Sequence, residues 1–325
     1  MLKNRFISKL YNPPVFQGQN RRDNYFEGWY FKLIDLEGNH IWSVIPGVSY
    51  SSDTHSFIQV IHAQTGKTYY KRFPIESFTY EKEKFRIDIG SNSFSDSHLV
   101  LDIQCDDLDI KGALSFEGIQ PFPVRLLSPG IMGWYAFVPF MECYHGVVSM
   151  QHTLTGSLQV NGSAISFDGG RGYIEKDWGI SMPTDWIWMQ SNHFDLDQKV
   201  SFMLSVARIP WRKGYFPGFL SFLRLDGKVY RFATYNGSKV ASLSVTDDEV
   251  QIVLRSRKLV LEVVVLRQDG GILKAPRHGA MDRDIKESII STLKLVLKNR
   301  RGEVLYSDTG RYAGLEIVGD MEQYY

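Results

Sequence analysis

Apolar and polar positions alternate along the chain in short runs rich in Val, Ile, Phe and Tyr, and Gly, Asn and Asp separate the runs. Residues 57–62, 99–104, 200–207, 251–255 and 259–266 are clear examples, and each reads as a strand. The turns Leu36-Glu-Gly-Asn39, Val160-Asn-Gly-Ser163, Leu225-Asp-Gly-Lys228 and Asn299-Arg-Arg-Gly302 supply residues that tolerate positive φ at hairpin tips. Long helical periodicity is almost absent. The pattern predicts an all-β protein of the barrel or curved-sandwich type.

The pattern also repeats. Ile34-Asp-Leu-Glu37, leading to a strand that closes at Ile45-Pro46, echoes Phe194-Asp-Leu-Asp197, leading to one that closes at Ile209-Pro210. Thr65-Gly-Lys-Thr-Tyr69 echoes Asp226-Gly-Lys-Val-Tyr230, and Leu99-Val-Leu-Asp-Ile103 echoes Leu259-Val-Leu-Glu-Val263. Near the end of each half, Gly170-Arg171 with Glu175 parallels Gly310-Arg311 with Glu316. A common order at nearly constant spacing implies an internal duplication. The expected organisation is an arm over 1–24, a first β unit over 25–180 and a second over 181–325. Residues 121–152 form an insertion that the second unit lacks. Each unit is expected to close its edges, and a barrel of about eight strands can hold one small ligand.

At 325 residues the chain exceeds the size at which single cores stop growing, about 250–300 residues, which favours two domains. Aromatic residues make up 14%, and strand propensity explains much of that excess but not its clustering. A net charge of +1 gives no reason to expect nucleic acid, and Lys298, Arg300 and Arg301 beside a Gly turn read as a solvated loop. Cys105 and Cys143 cannot build a disulfide framework or a Cys-rich metal site, so both read as free thiols in a reducing compartment. Residues 1–14 lack the apolar stretch of a signal peptide, and no window approaches the ~18 apolar residues of a membrane span. A cytoplasmic protein is expected. Residues 209–220 mix Trp211, Tyr215 and Phe216 with Arg212 and Lys213, as a peripheral membrane contact does, but a turn capping a barrel has the same composition and is preferred.

Three segments carry candidate chemistry. In Tyr25-Phe-Glu-Gly-Trp-Tyr-Phe31, alternation puts Glu27 on a face with Tyr25, Trp29 and Phe31. A carboxyl so placed is either a general acid or the structural partner of a cation. In Gly172-Tyr-Ile-Glu-Lys-Asp-Trp-Gly179, Glu175 and Asp177 share a face and push each other's proton affinities apart, whereas Lys176 points away unless a bulge turns it. An ion-paired strand end fits the same residues. In Met182-Pro-Thr-Asp-Trp-Ile-Trp-Met-Gln-Ser-Asn192, alternation aligns Trp186, Trp188, Gln190 and Asn192. Rings that bury a tail and amides that orient oxygens suit an apolar molecule with a polar head, although a Trp-rich core strand also explains the indoles. The histidines are scattered without metal-ligand spacing, so no metal site is expected, and His145 beside Tyr144 is the one singled out for function. No phosphate loop, nucleophile elbow or dinucleotide fingerprint is present, which removes kinases, common hydrolases and common dehydrogenases.

Phe26-Glu-Gly-Trp-Tyr-Phe-Lys32, the run Gly172 to Gly179 leading to Pro183, Trp186-Ile-Trp188, Gln190-Ser-Asn192 and Glu316-Ile317 resemble, in this order, signatures of the tocopherol cyclase family. The resemblance covers nearly the whole chain, without the plastid-targeting extension of plant members. It implies a calycin-like fold of two lipocalin-like units, related to carotenoid hydratases and some fungal cyclases. It also implies closure of a chromanol ring from a prenylated benzoquinol without a redox cofactor, so the expected partner is a hydrophobic prenylated small molecule. On that reading Asp177, Glu175, Glu27 and His145 are the catalytic candidates. Trp29, Trp178, Trp186 and Trp188 shield a carbocation, Gln190 and Asn192 orient the quinol, and Tyr30, Tyr144 and Lys176 complete the binding set. The rival expectations are a non-catalytic carrier of a prenyl lipid and a related alkene hydratase or cyclase of secondary metabolism.

Overall fold

Strands that face a core on one side bury every second residue, as the alternation predicts: Leu108–Glu117 is a clear case. The computed structural model describes residues 9–325. The first twelve strands are β1 (Tyr25–Ile34), β2 (Ile41–Tyr50), β3 (His55–His62), β4 (Lys67–Phe73), β5 (Phe78–Tyr80), β6 (Arg86–Ile89), β7 (Asn92–Ser95), β8 (His98–Cys105), β9 (Leu108–Glu117), β10 (Cys143–Val160), β11 (Ser163–Ser166) and β12 (Arg171–Gly179). They form one sheet in the order β4-β3-β2-β1-β12-β10-β9-β8-β7-β6-β5, with β11 pairing off this path to β10.

The second sheet contains β13 (Trp186–Ser191), β14 (His193–Phe194), β15 (Ser201–Trp211), β16 (Gly214–Leu225), β17 (Lys228–Ala233), β18 (Lys239–Val245), β19 (Glu249–Arg255), β20 (Leu259–Leu266), β21 (Gly271–Arg277), β22 (Ala280–Asn299) and β23 (Val304–Val318). Its order is β17-β16-β15-β13-β23-β22-β20-β19-β18, with β14 on β23 and β21 on β22. The two paths are wound alike. In each, the first strand pairs with the last, β1 with β12 and β13 with β23.

Among the described residues neither path returns on itself, so of the barrel or curved-sandwich forms expected from the sequence the closed hydrogen-bonded barrel is not formed. The first sheet ends in strands of three and four residues, and Pro74 opens the 3-10 turn Ile75–Ser77 between β4 and β5. Short, turn-bounded edges limit exposed pairing groups without closure. Among the described residues no helix is long and apolar enough to cross a membrane.

The chain packs as two units whose boundary differs from the expected break at 180/181. The first comprises residues up to Met182 together with Ile272–Asp284; the second comprises Pro183–Gly271 and Ile285–Tyr325. Within the first unit, the Gln59 amide donates to the Lys274 carbonyl at 2.9 Å and accepts from the Lys274 N–H at 2.8 Å. Ser49 donates to the Gly279 carbonyl at 2.6 Å. Gly279 has φ +82°, and a Cβ there would lie 2.4 Å from the Tyr50 carbonyl oxygen, so both conformation and space require glycine.

The first core gathers Trp29, Phe31, Leu33, Phe94, Leu114 and Ile174, and Phe16 of the N-terminal arm belongs to it. The second gathers Ile187, Met189, Phe202, Leu204, Ile252 and Leu295. The expected insertion is mostly loop: it contains a 3-10 turn at Gly133–Phe137 and, at its end, the first ten residues of β10.

His152 on β10 opposes Gly172 on β12, where any Cβ would meet its Nε2 at 2.2 Å. Burial holds the His152 imidazole down to about 3, against an ordinary 6.5. Below pH 6.5 the unfolded chain therefore takes up a proton that the folded chain refuses until about pH 3. Stability falls as pH falls across this window, by at most ~1.4 kcal/mol per pH unit from this group. Urea midpoints of His152→Gln should fall less steeply than those of the wild type between about pH 6 and pH 4; equal slopes would refute the assignment.

Candidate active site

β12 lies between β1 and β10 and is buried on both faces, so each of its side chains must find partners inside the protein. Directly opposed residues in antiparallel strands point to the same side. Asp177 faces His145 of β10 and Gly28 of β1, and Glu175 faces Val147 and Tyr30. A Cβ at Gly28 would make only ordinary van der Waals contact, 3.9 Å from Ile45 and from the Pro46 carbonyl.

On this face His145 links the two carboxylates. Its Nδ1 lies 2.9 Å from Asp177 Oδ1 and its Nε2 lies 3.6 Å from Glu175 Oε2. Tyr173, fully buried, donates its hydroxyl to Glu175 Oε2 at 2.6 Å. Burial, reinforced by Glu175, pushes the Tyr173 hydroxyl well above its usual range, so it remains a donor. Burial, with Asp177 and Glu142, likewise raises the Cys143 thiol, whose Sγ lies 3.9 Å from Asp177 Oδ1. Access is graded: the Asp177 side chain keeps 22% exposure, His145 11% and Glu175 6%. Asp177 is thus the carboxyl that a substrate can reach, and Tyr173 and Glu175 sit behind the imidazole.

His145, Glu175 and Asp177 could also hold a metal ion, since one ligand atom from each lies within 4.8 Å of the others. Alternation along one strand joins Glu175 with Asp177, but His145 comes from another strand and meets them only through register. The two ring nitrogens face different carboxylates: Nδ1 is at hydrogen-bonding distance from Asp177, whereas Nε2 approaches Glu175 only at ion-pair distance.

The opposite face corrects several expectations. Glu27 and Lys176, both fully buried, form an ion pair at 2.6 Å. Lys176 Nζ also donates to the carbonyls of Pro13 and Val15 at 2.8 and 2.7 Å. Glu27 accepts from the backbone N–H groups of Gln17 and Gly18 and from the Tyr25 hydroxyl. Burial brings the Lys176 ammonium down to about 8, with Glu27 opposing the shift. The β1–β12 register is unbroken, so no bulge turns Lys176 towards Asp177. Trp29 lies in the first core and donates its indole N–H to the Pro14 carbonyl at 2.9 Å. Trp178 stacks on Tyr144 at 5.5 Å, and Lys176 lies over both indoles, 4.8 Å from Trp29 and 4.7 Å from Trp178. The N-terminal arm covers this face, so Glu27, Lys176, Trp29, Trp178 and Tyr144 do not join the carboxylate cluster. Of the first unit's expected residues, Asp177, Glu175, His145 and Tyr30 share the carboxylate face.

Trp186, Trp188, Gln190 and Asn192 belong to the second unit. Ile187 and Met189 point into its core, which puts the indoles on the other side of β13. There Trp186 donates its indole N–H to Glu316 Oε2 at 2.6 Å, and Glu316 pairs across strands with Trp188 and with the fully buried Glu287. Gly314 accommodates the Trp188 ring, since a Cβ there would approach it to 2.5 Å. The duplication had paired Glu175 with Glu316, and both sit on the last strand of their half. Tyr173 and Glu287 were missed, and only alternation along β12 could have flagged the first.

The sequence profile described as tocopherol cyclase-like matches residues 122–319, more than half of the chain. The chain belongs to the tocopherol cyclase-like family. Its match to a rice protein (Oryza sativa subsp. japonica) assigned as a chloroplastic tocopherol cyclase is 24% identical over 196 residues, 58% of this chain and 42% of the rice protein. The match to the chloroplastic tocopherol cyclase of Zea mays is 24% identical over 196 residues, 58% of this chain and 41% of the maize protein. The chain thus spans about two-fifths of the length of the plant relatives it matches. Among solved structures, an AttH protein of Nitrosomonas europaea superposes with a TM-score of 0.55 at 12% identity, covering 90% of this chain and 92% of that one. CghA in complex with Sch210972 gives 0.52 at 12% identity, covering 94% and 89%. These likenesses fix the fold of this tocopherol cyclase-like chain as one shared with both.

Proposed function

We propose that this protein catalyses proton-initiated cyclisation of a prenylated quinol, or of a related isoprenoid, with Asp177 as the proton donor. The supporting observation is the relay in which His145 bridges the reachable Asp177 and the buried Glu175. Asp177 gives its proton to the less substituted carbon of the alkene nearest the quinol, leaving a tertiary cation. The phenol oxygen attacks that cation, and the phenolic proton returns to the Asp177 carboxylate, so the enzyme ends as it began. His145 stabilises the carboxylate between the two transfers, because an imidazole shared by two carboxylates can hold a proton for either. Tyr173 and Glu175 fix the ring's orientation. The substrate class comes from the family, in which the matched maize protein is a tocopherol cyclase.

Water must be kept from the cation, because its capture by water gives a tertiary alcohol. Incubation with a methylated benzoquinol bearing a geranylgeranyl tail should give a chromanol of unchanged mass. A product heavier by one water would make the protein a hydratase. Unchanged quinol recovered bound to the protein would refute catalysis and leave a carrier.

A further inference from the structure

The segment between β9 and β10 carries an unusual surface. Arg125 and Ser128 bridge backbone to backbone at 3.0 Å in both directions, so Leu126 and Leu127 form the tip of a tight turn. Their exposures, 77% and 79%, are high for leucine. Turn tips are the natural place for Gly, Asn and Asp, and two leucines there bury nothing within the protein. Trp134, Phe137 and Phe140 along the same segment are 46%, 44% and 54% exposed. Exposed apolar side chains gathered in one segment mark an interaction surface.

We propose that the turn 125–128 and the rings at 134–140 form a docking surface for an anionic lipid bilayer, delivering a membrane-dissolved substrate to the Asp177 site. Charge supports this occupant. Between Glu117 and Glu142 the sole charged residue is Arg125, so leucines and aromatic rings stand beside a cation with no carboxylate among them. Arg21, also exposed, lies close enough to Tyr144 to act on its hydroxyl electrostatically. A peptide partner adding a strand is disfavoured, because Pro121, Pro123, Pro129 and Pro139 remove backbone donors along the segment. The patch is tied to the strand that carries His145: Tyr144, the preceding residue of β10 on its opposite face, donates its hydroxyl to the Val138 carbonyl. The tip at Trp211–Gly214, which the sequence offered for this role, is a hairpin whose Trp211 and Phe216 pack edge to face at 5.7 Å.

The delivery role rests on the proposed cyclase activity; the docking itself does not. In vesicle flotation the wild-type protein should rise with phosphatidylcholine vesicles containing a quarter phosphatidylglycerol, and much less with phosphatidylcholine alone. The double variant L126D/L127D should float at least about tenfold less, with an unchanged unfolding midpoint. Turnover of detergent-dispersed quinol should be untouched in L126D/L127D, whereas turnover of vesicle-borne quinol should fall. A wild type that stays at the bottom with both vesicle types, or an L126D/L127D that floats as well as wild type, overturns the proposal. A patch serving a second copy would instead show as a dimer in light scattering that L126D/L127D dissolves without any flotation, which also overturns it. If flotation holds but no quinol is converted, docking stands and the cyclase reading fails.

Discussion

Asp177→Asn should lower turnover of a prenylquinol by ~10²–10⁴, the range that one positioned general acid supplies. That corresponds to about 3–5 kcal/mol of transition-state stabilisation. The amide keeps the shape of the side chain and can still hydrogen-bond His145, so folding and KM should change little and the loss should fall on kcat. His145→Gln, which leaves Asp177 in place, should cost less. If Asp177→Asn turns over prenylquinol at the wild-type rate, the proton comes from elsewhere and the proposed role is wrong. Single-turnover assays on purified protein, with circular dichroism to confirm folding, decide the matter.

Glu27→Gln should have the largest effect on stability and almost none on chemistry. Among the described residues Glu27 is the only carboxylate paired with Lys176, and both side chains are fully buried. Removing one partner strands a charge in the interior, at a typical cost of ~3–5 kcal/mol. Two backbone N–H groups and the Tyr25 hydroxyl also lose their shared acceptor charge. Adding Lys176→Met should recover a large part of the loss, because the stranded ammonium is then absent. Urea unfolding of the two single variants and the double variant measures the coupling. A drop in kcat for folded Glu27→Gln of the size expected for Asp177→Asn would return Glu27 to the list of acids.

The sequence made the strands legible, and with them the duplication, because alternation and turn chemistry are local. It also placed Glu175 and Asp177 on one face of β12 correctly, since that needs only the two-residue period. It could not say which face of β12 meets a core and an arm. For that reason Trp29 and Trp178 joined one expected site with carboxylates from which the strand separates them, whereas Lys176 points away from them as ideal alternation requires. His145 reaches Asp177 only through the register between β10 and β12, a pairing across 32 positions that no local signal encodes. Likewise, nothing in residues 13–18 announces that their carbonyls and N–H groups complete the shell of a buried ion pair. Barrel closure failed as an inference because it depends on the two most distant edges meeting, and turn-bounded short strands remove the need.

The return of Ile272–Asp284 to the first unit has a genetic meaning. Two copies that arose by duplication are no longer separable by a single cut, since a polypeptide ending at Met182 would leave the amide of Gln59 and the hydroxyl of Ser49 facing missing backbone. Loss or gain of residues in the stretch 272–284 would be felt by the opposite half of the gene. Shuffling of halves among relatives should therefore succeed only where that short stretch travels with the amino-terminal half it serves.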